Sequence, residues 1–260
     1  MDEIHYFLGN SCDLNCDFCF WDMRIPDIPL SQKKRIIDEI KKTGIKKLTI
    51  SGGEPTCNRD FLKIIKYGYQ NGLEIILHTH GLRIDKNMAQ KLSPLVSRIS
   101  LVLDGSNEEM NYKMRKNAKL LPHTLFLIDL LSNYGVTVNV KTLITKVNKD
   151  DIIKIGELLS DKPIQYWSLL EFNPLNRGLI HKSKFFLSGK DFDAITRAVK
   201  NTFPDILVKI RRFRRNPQRY CFVTLNGRVY TYLPGKGDIL VGNLLEKNLM
   251  AIINNIPSFS

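Results

Sequence analysis

An α/β fold, a partial TIM-like (β/α)6 barrel, is predicted by three observations. β-prone runs alternate with amphipathic ones, successive strands recur about every 25–35 residues, and a length of 260 residues is ordinary for one barrel unit. Glu3–Gly9 (EIHYFLG) is a short β-prone run leading into a cysteine-rich loop. Ser31 is a candidate N-cap for a helix to Lys42, with Ile36, Ile37 and Ile40 as its apolar stripe and Gly44 after its end. Lys47–Ile50 is the next strand, followed by a helix over Asp60–Tyr69 and a strand over Glu74–Leu77. Arg98–Leu103 and Val136–Leu143 continue the strands, with a helix over Pro122–Tyr134 between them. A helix over Asp150–Leu159, a strand over Ile164–Glu171 and a helix over Asp191–Lys200 complete six units. After Asn201 the pattern changes. Ile206–Ile210, Tyr220–Leu225, an Asn226-Gly227 turn and Arg228–Leu233 read as antiparallel hairpin material, and Leu245–Asn254 as a short closing helix. The expected division is a barrel over residues 1–201 and an extension over 202–260 that covers the barrel mouth.

Composition narrows the class. At 43% hydrophobic the chain can bury a full core. It holds no apolar run long enough for a bilayer span and no basic-apolar-small leader, so a cytoplasmic protein is expected. Five cysteines, three of them within eight residues, suit an intracellular metal site and not a disulfide framework. The net charge of +13 calls for an anionic partner or serves solubility alone; nucleic acid stays among the partners it permits.

Two motifs carry chemistry. Cys12-x-x-x-Cys16-x-x-Cys19 follows the first strand, and three thiolates in one loop can cap three irons of a four-iron cube and leave the fourth open. A zinc site would need a fourth ligand, and His5 stands on the strand, away from ligand spacing. Ser51-Gly52-Gly53-Glu54-Pro55 falls at the C-terminal end of the second strand, the end that hosts active sites in parallel barrels. Its glycines allow close backbone approach, and Glu54 offers an acceptor for an ammonium.

Over about residues 3–175 the sequence resembles the radical S-adenosylmethionine (SAM) superfamily, whose motif is Cys-x-x-x-Cys-x-aromatic-Cys, with Phe18 as the aromatic residue. The resemblance implies a [4Fe–4S] cluster on Cys12, Cys16 and Cys19, with the SAM amino and carboxylate groups on the open iron. It places Phe18 beside the adenine and Gly52, Gly53, Glu54 and Pro55 around the methionine ammonium. His78-Thr79-His80-Gly81 stands where many members carry Thr-Asn-Gly, and His80 departs from that pattern. Ser100–Gly105 (SLVLDG) resembles the family's SLDG segment and brings Asp104 to the mouth; Lys141 stands where members place a polar residue toward the SAM carboxylate or ribose.

The resemblance implies an enzyme that cleaves SAM reductively and abstracts a hydrogen atom from a substrate, served by a reducing partner such as flavodoxin or ferredoxin. Single-cluster, viperin-like members that modify nucleoside triphosphates are similar in length, in Cys16–Phe20 and loosely in Asn148-Lys149-Asp150-Asp151. The basic run Lys209, Arg211, Arg212, Arg214, Arg215 and Arg219 suits the phosphates of an anionic small molecule, or is a solvated loop. A peptide-modifying enzyme and a non-catalytic iron–sulfur protein are the alternatives. Cys57 and Cys221 are too few for a second cube and read as buried small hydrophobes.

Overall fold

The computed structural model describes residues 2–9, 11–21, 25–212, 221–233, 237–248 and 251–252. Seven parallel strands run in chain order: β1 (Glu3–Gly9), β2 (Lys47–Gly52), β3 (Glu74–His78), β4 (Arg98–Val102), β5 (Thr137–Ile144), β6 (Tyr166–Glu171) and β7 (Val208–Arg211). Between them lie α1 (Leu30–Lys42), α2 (Phe61–Gln70), α3 (Lys86–Leu92), α4 (Glu108–Arg115), α5 (Leu120–Asn133), α6 (Ile152–Leu159), α7 (Arg177–Ile180), α8 (Lys182–Phe185) and α9 (Gly189–Thr202). Then come β8 (Cys221–Thr224), β9 (Arg228–Leu233) and β10 (Gly237–Asn243), giving one sheet in the order β10-β9-β8-β1-β2-β3-β4-β5-β6-β7.

Strand alternation sorts each strand into two faces. Ile4, Tyr6 and Leu8 of β1 join Ile36, Ile37 and Ile40 of α1 in the main core. Val138 and Val140 of β5, Trp167 and Leu169 of β6, and Val208 of β7 belong to the same core. Their neighbours in sequence therefore face the barrel interior, and many of them are polar: Glu3, His5, Asn139, Lys141, Ser168, Lys209 and Arg211. Lys33 is the exception to apolar packing in α1. It is fully buried and pairs with Asp27 (2.7 Å) and Asp60 (2.9 Å), with Asn58 at 3.3 Å.

The six expected strands and the five expected helices between and after them are all present, with ends shifted by a residue or two. The α1 helix starts at Leu30, behind Pro29, and has no side-chain cap, so Ser31 is not its N-cap. Helices α3, α4, α7 and α8 were not expected; Asp85 caps α3 by accepting the Met88 N–H at 2.7 Å. The segment expected as hairpin material divides. The β7 strand pairs in parallel with β6, whose outer edge is otherwise open, while β8 and β9 form the expected antiparallel pair around Asn226-Gly227. The β8 strand also pairs in parallel with β1, so the segment after residue 201 extends the barrel sheet at both ends. Residues 244–246 form a turn where the closing helix was expected to begin; Ala251 and Ile252 are helical, and residues 253–254 lie outside the described residues. Among the described residues, no helix is long and apolar enough to cross a membrane.

Candidate active site

The loop after β1 carries the three thiols. Cys16 is buried, and Cys12 and Cys19 are half-buried. They sit in a second apolar cluster, separate from the main core, built from Leu14, Phe18, Met114, Phe172 and Phe185. Burial pushes the Cys12 thiol up to about 12, and burial raises Cys16 as well. A bare thiolate is thus costly in this loop, whereas a bound metal would neutralise it, and a dry thiol set of this kind fits an iron–sulfur cluster.

The Gly-Gly-Glu-Pro turn is fastened to this loop by its backbone. The Gly53 N–H donates to the Gly9 carbonyl and the Glu54 N–H to the Ser11 carbonyl, both at 2.8 Å. Gly52 holds φ at +122°, which favours glycine, and a Cβ on Gly53 would lie 2.5 Å from the Ser11 carbonyl oxygen. The glycines therefore serve first to let two loops touch. Gly53→Ala is expected to cost about 1–3 kcal/mol of strain in the paired loops. Iron retention and SAM affinity should fall together in that variant; an unchanged iron content measured after gel filtration would separate the two loops.

Glu54 is buried and already engaged. Its Oε1 accepts from the Thr56 N–H (3.1 Å), the Thr56 hydroxyl (2.7 Å) and the Thr79 hydroxyl (2.6 Å), and its Oε2 from the His80 N–H (2.9 Å). This leaves little of the carboxylate for a ligand's ammonium. Pro55 is buried at the start of the short 3-10 turn Pro55–Cys57. His80, expected beside the cofactor, clamps the neighbouring loops together. The Leu82 N–H donates to its Nδ1 (3.2 Å), which puts the ring proton on Nε2, 2.7 Å from Asp13 Oδ1 and 3.2 Å from Glu54 Oε2. Arg83 Nε reaches the other Asp13 oxygen at 2.9 Å. Asp13 lies inside the cysteine motif, so the loop after β3 grips the cysteine loop directly. Cys12, Asp13 and His80 bring their ligand atoms within 4.8 Å of one another, which is the one metal-like group among the described residues.

Asp104, expected at the mouth, is fully buried and committed to structure. It accepts from Arg115 Nε (2.5 Å) and from the Leu143 N–H (2.7 Å). Arg115 also lies 4.0 Å from Cys16 Sγ and covers the Phe18 ring at 4.8 Å, so one face of Phe18 is occupied. Asn148 donates to the carbonyls of Asp104 and Leu143, and Asp151 accepts from the Ser106 backbone and hydroxyl. The acidic segment after β5 thus ties neighbouring strand-end loops together. Asp13 and Arg115 carry no local signal for these contacts, since Asp13 meets His80 across 67 positions and Arg115 meets Cys16 across 99.

The basic run splits by strand parity. Lys209 Nζ stands 3.6 Å over the Tyr166 ring, on the interior face, and Arg211 follows two residues later on that face at the exposed rim. Arg212 points the other way: it packs over Phe192 at 5.1 Å and pairs with Asp193, both on α9. Arg214, Arg215 and Arg219 lie outside the described residues. Lys141 is half-buried in the interior, beside His78. Burial, then the nearby Arg211, pushes its ammonium down to about 7. Burial, then Lys141, holds His78 well below the usual range, so it is neutral. A surface groove of about 440 Å³ between α1 and Leu244–Asn248 contains none of these residues.

Comparison with known proteins bears on this arrangement. A family model described as the Radical SAM superfamily matches residues 6–159. The AdoMet-dependent heme synthase of Methanosarcina barkeri is 26% identical over 293 aligned positions, covering 98% of this chain and 83% of that protein. An S-adenosylmethionine-dependent nucleotide dehydratase of Flammeovirga pacifica is 24% identical, covering 77% of this chain and 73% of its own. Among solved structures, Streptococcus suis SuiB bound to S-adenosylmethionine superposes with a TM-score of 0.78 at 18% identity, over 98% of this chain and 66% of that one. SuiB has also been solved bound to its precursor peptide SuiA. These neighbours share the barrel described above, and the family match spans more than half of the sequence: the chain belongs to the radical SAM superfamily of enzymes.

Proposed function

We propose that this enzyme binds a [4Fe–4S] cluster through Cys12, Cys16 and Cys19 and uses it on SAM bound at the Gly52–Pro55 turn. The observation that carries the reading is the backbone pairing of the two loops, which holds three buried or half-buried thiols and the glycine turn as one unit. Cys12, Cys16 and Cys19 would hold the cluster, which would supply the electron for reductive cleavage of the SAM sulfur–C5′ bond to methionine and a hydrogen-abstracting 5′-deoxyadenosyl radical. The chain's own residues position and dry the site. The Asp13–His80–Glu54 clamp fixes the spacing of the two loops, and Leu14, Phe18, Met114 and Phe185 exclude water. Arg115 sets a positive charge beside the Cys16 sulfur.

The substrate in this reading is an anionic small molecule of the nucleoside triphosphate class. The cations on the interior wall and the likeness to a nucleotide dehydratase support it. A peptide substrate is the second reading, favoured by the likeness to SuiB. Anaerobic protein given SAM and dithionite should release 5′-deoxyadenosine and methionine, and the Cys16→Ala protein should release neither. A parent protein that retains its iron yet forms no 5′-deoxyadenosine would sink the proposal.

A further inference from the structure

We infer that the inner wall of β5–β7 is a polyanion site that takes a chain of linked phosphates through Lys141, Lys209 and Arg211. This deepens the proposed function and rests on that reading only for the identity of the rest of the substrate. The register sets the geometry. Lys141 of β5 lies opposite Ser168 of β6, and Ser168 lies opposite Lys209 of β7. Neighbouring strands stand about 4.8 Å apart, so the two lysines flank the serine with Cα atoms roughly 10 Å apart. Arg211 occupies the same face one step nearer the rim, opposite Leu170. One step deeper, Ser100, Asn139 and Tyr166 share a row. The wall thus runs from a buried polar floor to an exposed guanidinium.

Among the described residues, no carboxylate lies within ion-pair distance of Lys141, Lys209 or Arg211. Lys141 Nζ stands 2.9 Å from Nδ1 and 3.0 Å from Nε2 of His78, and a point equidistant from both nitrogens follows the lone pair of neither. Arg98 adds a further positive charge from β4, and Glu3 is the acidic group that acts on Lys141. At the floor, both amide atoms of Asn139 and the Ser100 hydroxyl are buried without a hydrogen-bond partner. Buried polar groups without a partner mark a place that a ligand or water completes. Two lysines and a guanidinium within two rows of three strands match several linked anionic groups better than one carboxylate. Separate acidic side chains of a peptide would each have to be brought to this wall.

The probe is inorganic tripolyphosphate, titrated calorimetrically into the full iron-loaded chain under anaerobic conditions. The parent protein should bind it, and Lys209→Ala and Arg211→Ala should each weaken binding about tenfold or more. Lys209→Arg keeps the charge and should stay within a few-fold of the parent, which guards against misfolding as the cause. Arg212→Ala, whose guanidinium sits on α9, should be unchanged. Failure of the parent to bind overturns the proposal, as does an equal loss in Arg212→Ala. Displacement of tripolyphosphate by an equimolar tetraglutamate peptide overturns it in favour of a peptide ligand. This binding is measured without SAM, so its failure is distinct from a failure to form 5′-deoxyadenosine.

Discussion

Cys16→Ala is expected to leave the reconstituted protein without an intact cluster. Iron should fall from about four per chain to a small residue, and the charge-transfer absorption should vanish. Cys16 is the most buried of the three thiols, packed with Leu14, Phe18, Met114 and Phe185, and Arg115 lies 4.0 Å from its sulfur. In the proposed assignment, alanine removes one of the three thiolate ligands. It also removes the sulfur that lies beside the Arg115 guanidinium, leaving Asp104 as its carboxylate partner. SAM cleavage should drop to background with the iron. Cys221→Ala tests specificity: that thiol is buried on β8 in the main core, pushed up to about 12 by burial alone. Cys57→Ala is the closer control, since its sulfur lies 3.8 Å from Asp13 Oδ1 at the edge of the site. Both should keep their iron. Full iron in the Cys16→Ala protein would falsify the ligand assignment, and loss in Cys57→Ala would bring a fourth thiol into it.

The second large effect is on stability. Lys33→Met should destabilise the fold by about 3–5 kcal/mol, because it leaves the Asp60 carboxylate buried without its cation. At about 2–4 °C per kcal/mol, the melting temperature should fall by roughly 6–20 °C. Asp60 lies just beyond the Gly52–Pro55 turn, so this ion pair anchors the turn to α1. The Lys33 ammonium holds the Asp60 carboxyl below its usual range through a hydrogen bond. A depressed carboxyl contributes stability above its unfolded value, near 4, and loses it as the pH falls. The gap between parent and variant should therefore be full at neutral pH and shrink below about pH 4. Chemical denaturation at pH 7 and pH 3.5 measures both. A variant as stable as the parent at pH 7 would mean that Asp27 and Asp60 find water instead.

The strands of the barrel were legible because alternation and turn residues are local signals. The cysteine and glycine motifs were legible for the same reason: their meaning lies in spacing over a few residues. The hidden parts depend on partners far apart in sequence. His80 meets Asp13 across 67 positions and Glu54 across 26, so a residue that departs from the family's pattern could not be recognised as a clamp. Asp104 looked like a mouth residue, but Arg115 and the Leu143 N–H consume its carboxylate. The basic run looked continuous, yet strand parity sends Lys209 and Arg211 inward while Asp193 draws Arg212 to the outside. Parity would have been readable had β7 been assigned to the parallel sheet. Its pairing was hidden because the open edge of β6 is a property of the assembled barrel.

The seat of β1 between β2 and β8 has a consequence for the order of events in synthesis. Its pairing with β2 closes a modest loop, but the Tyr6 hydroxyl bonds the Leu225 carbonyl across 219 positions. Contacts so distant form late, since most of the chain must first emerge and organise. Until β8 arrives, the strand that feeds the cysteine loop has one open edge, and the stack of Phe7 on Phe222 is missing. The strand that leads into the cysteine loop therefore gains its second neighbour only when β8 is made, after the residues that enclose the thiols, Met114, Phe172 and Phe185, are already present.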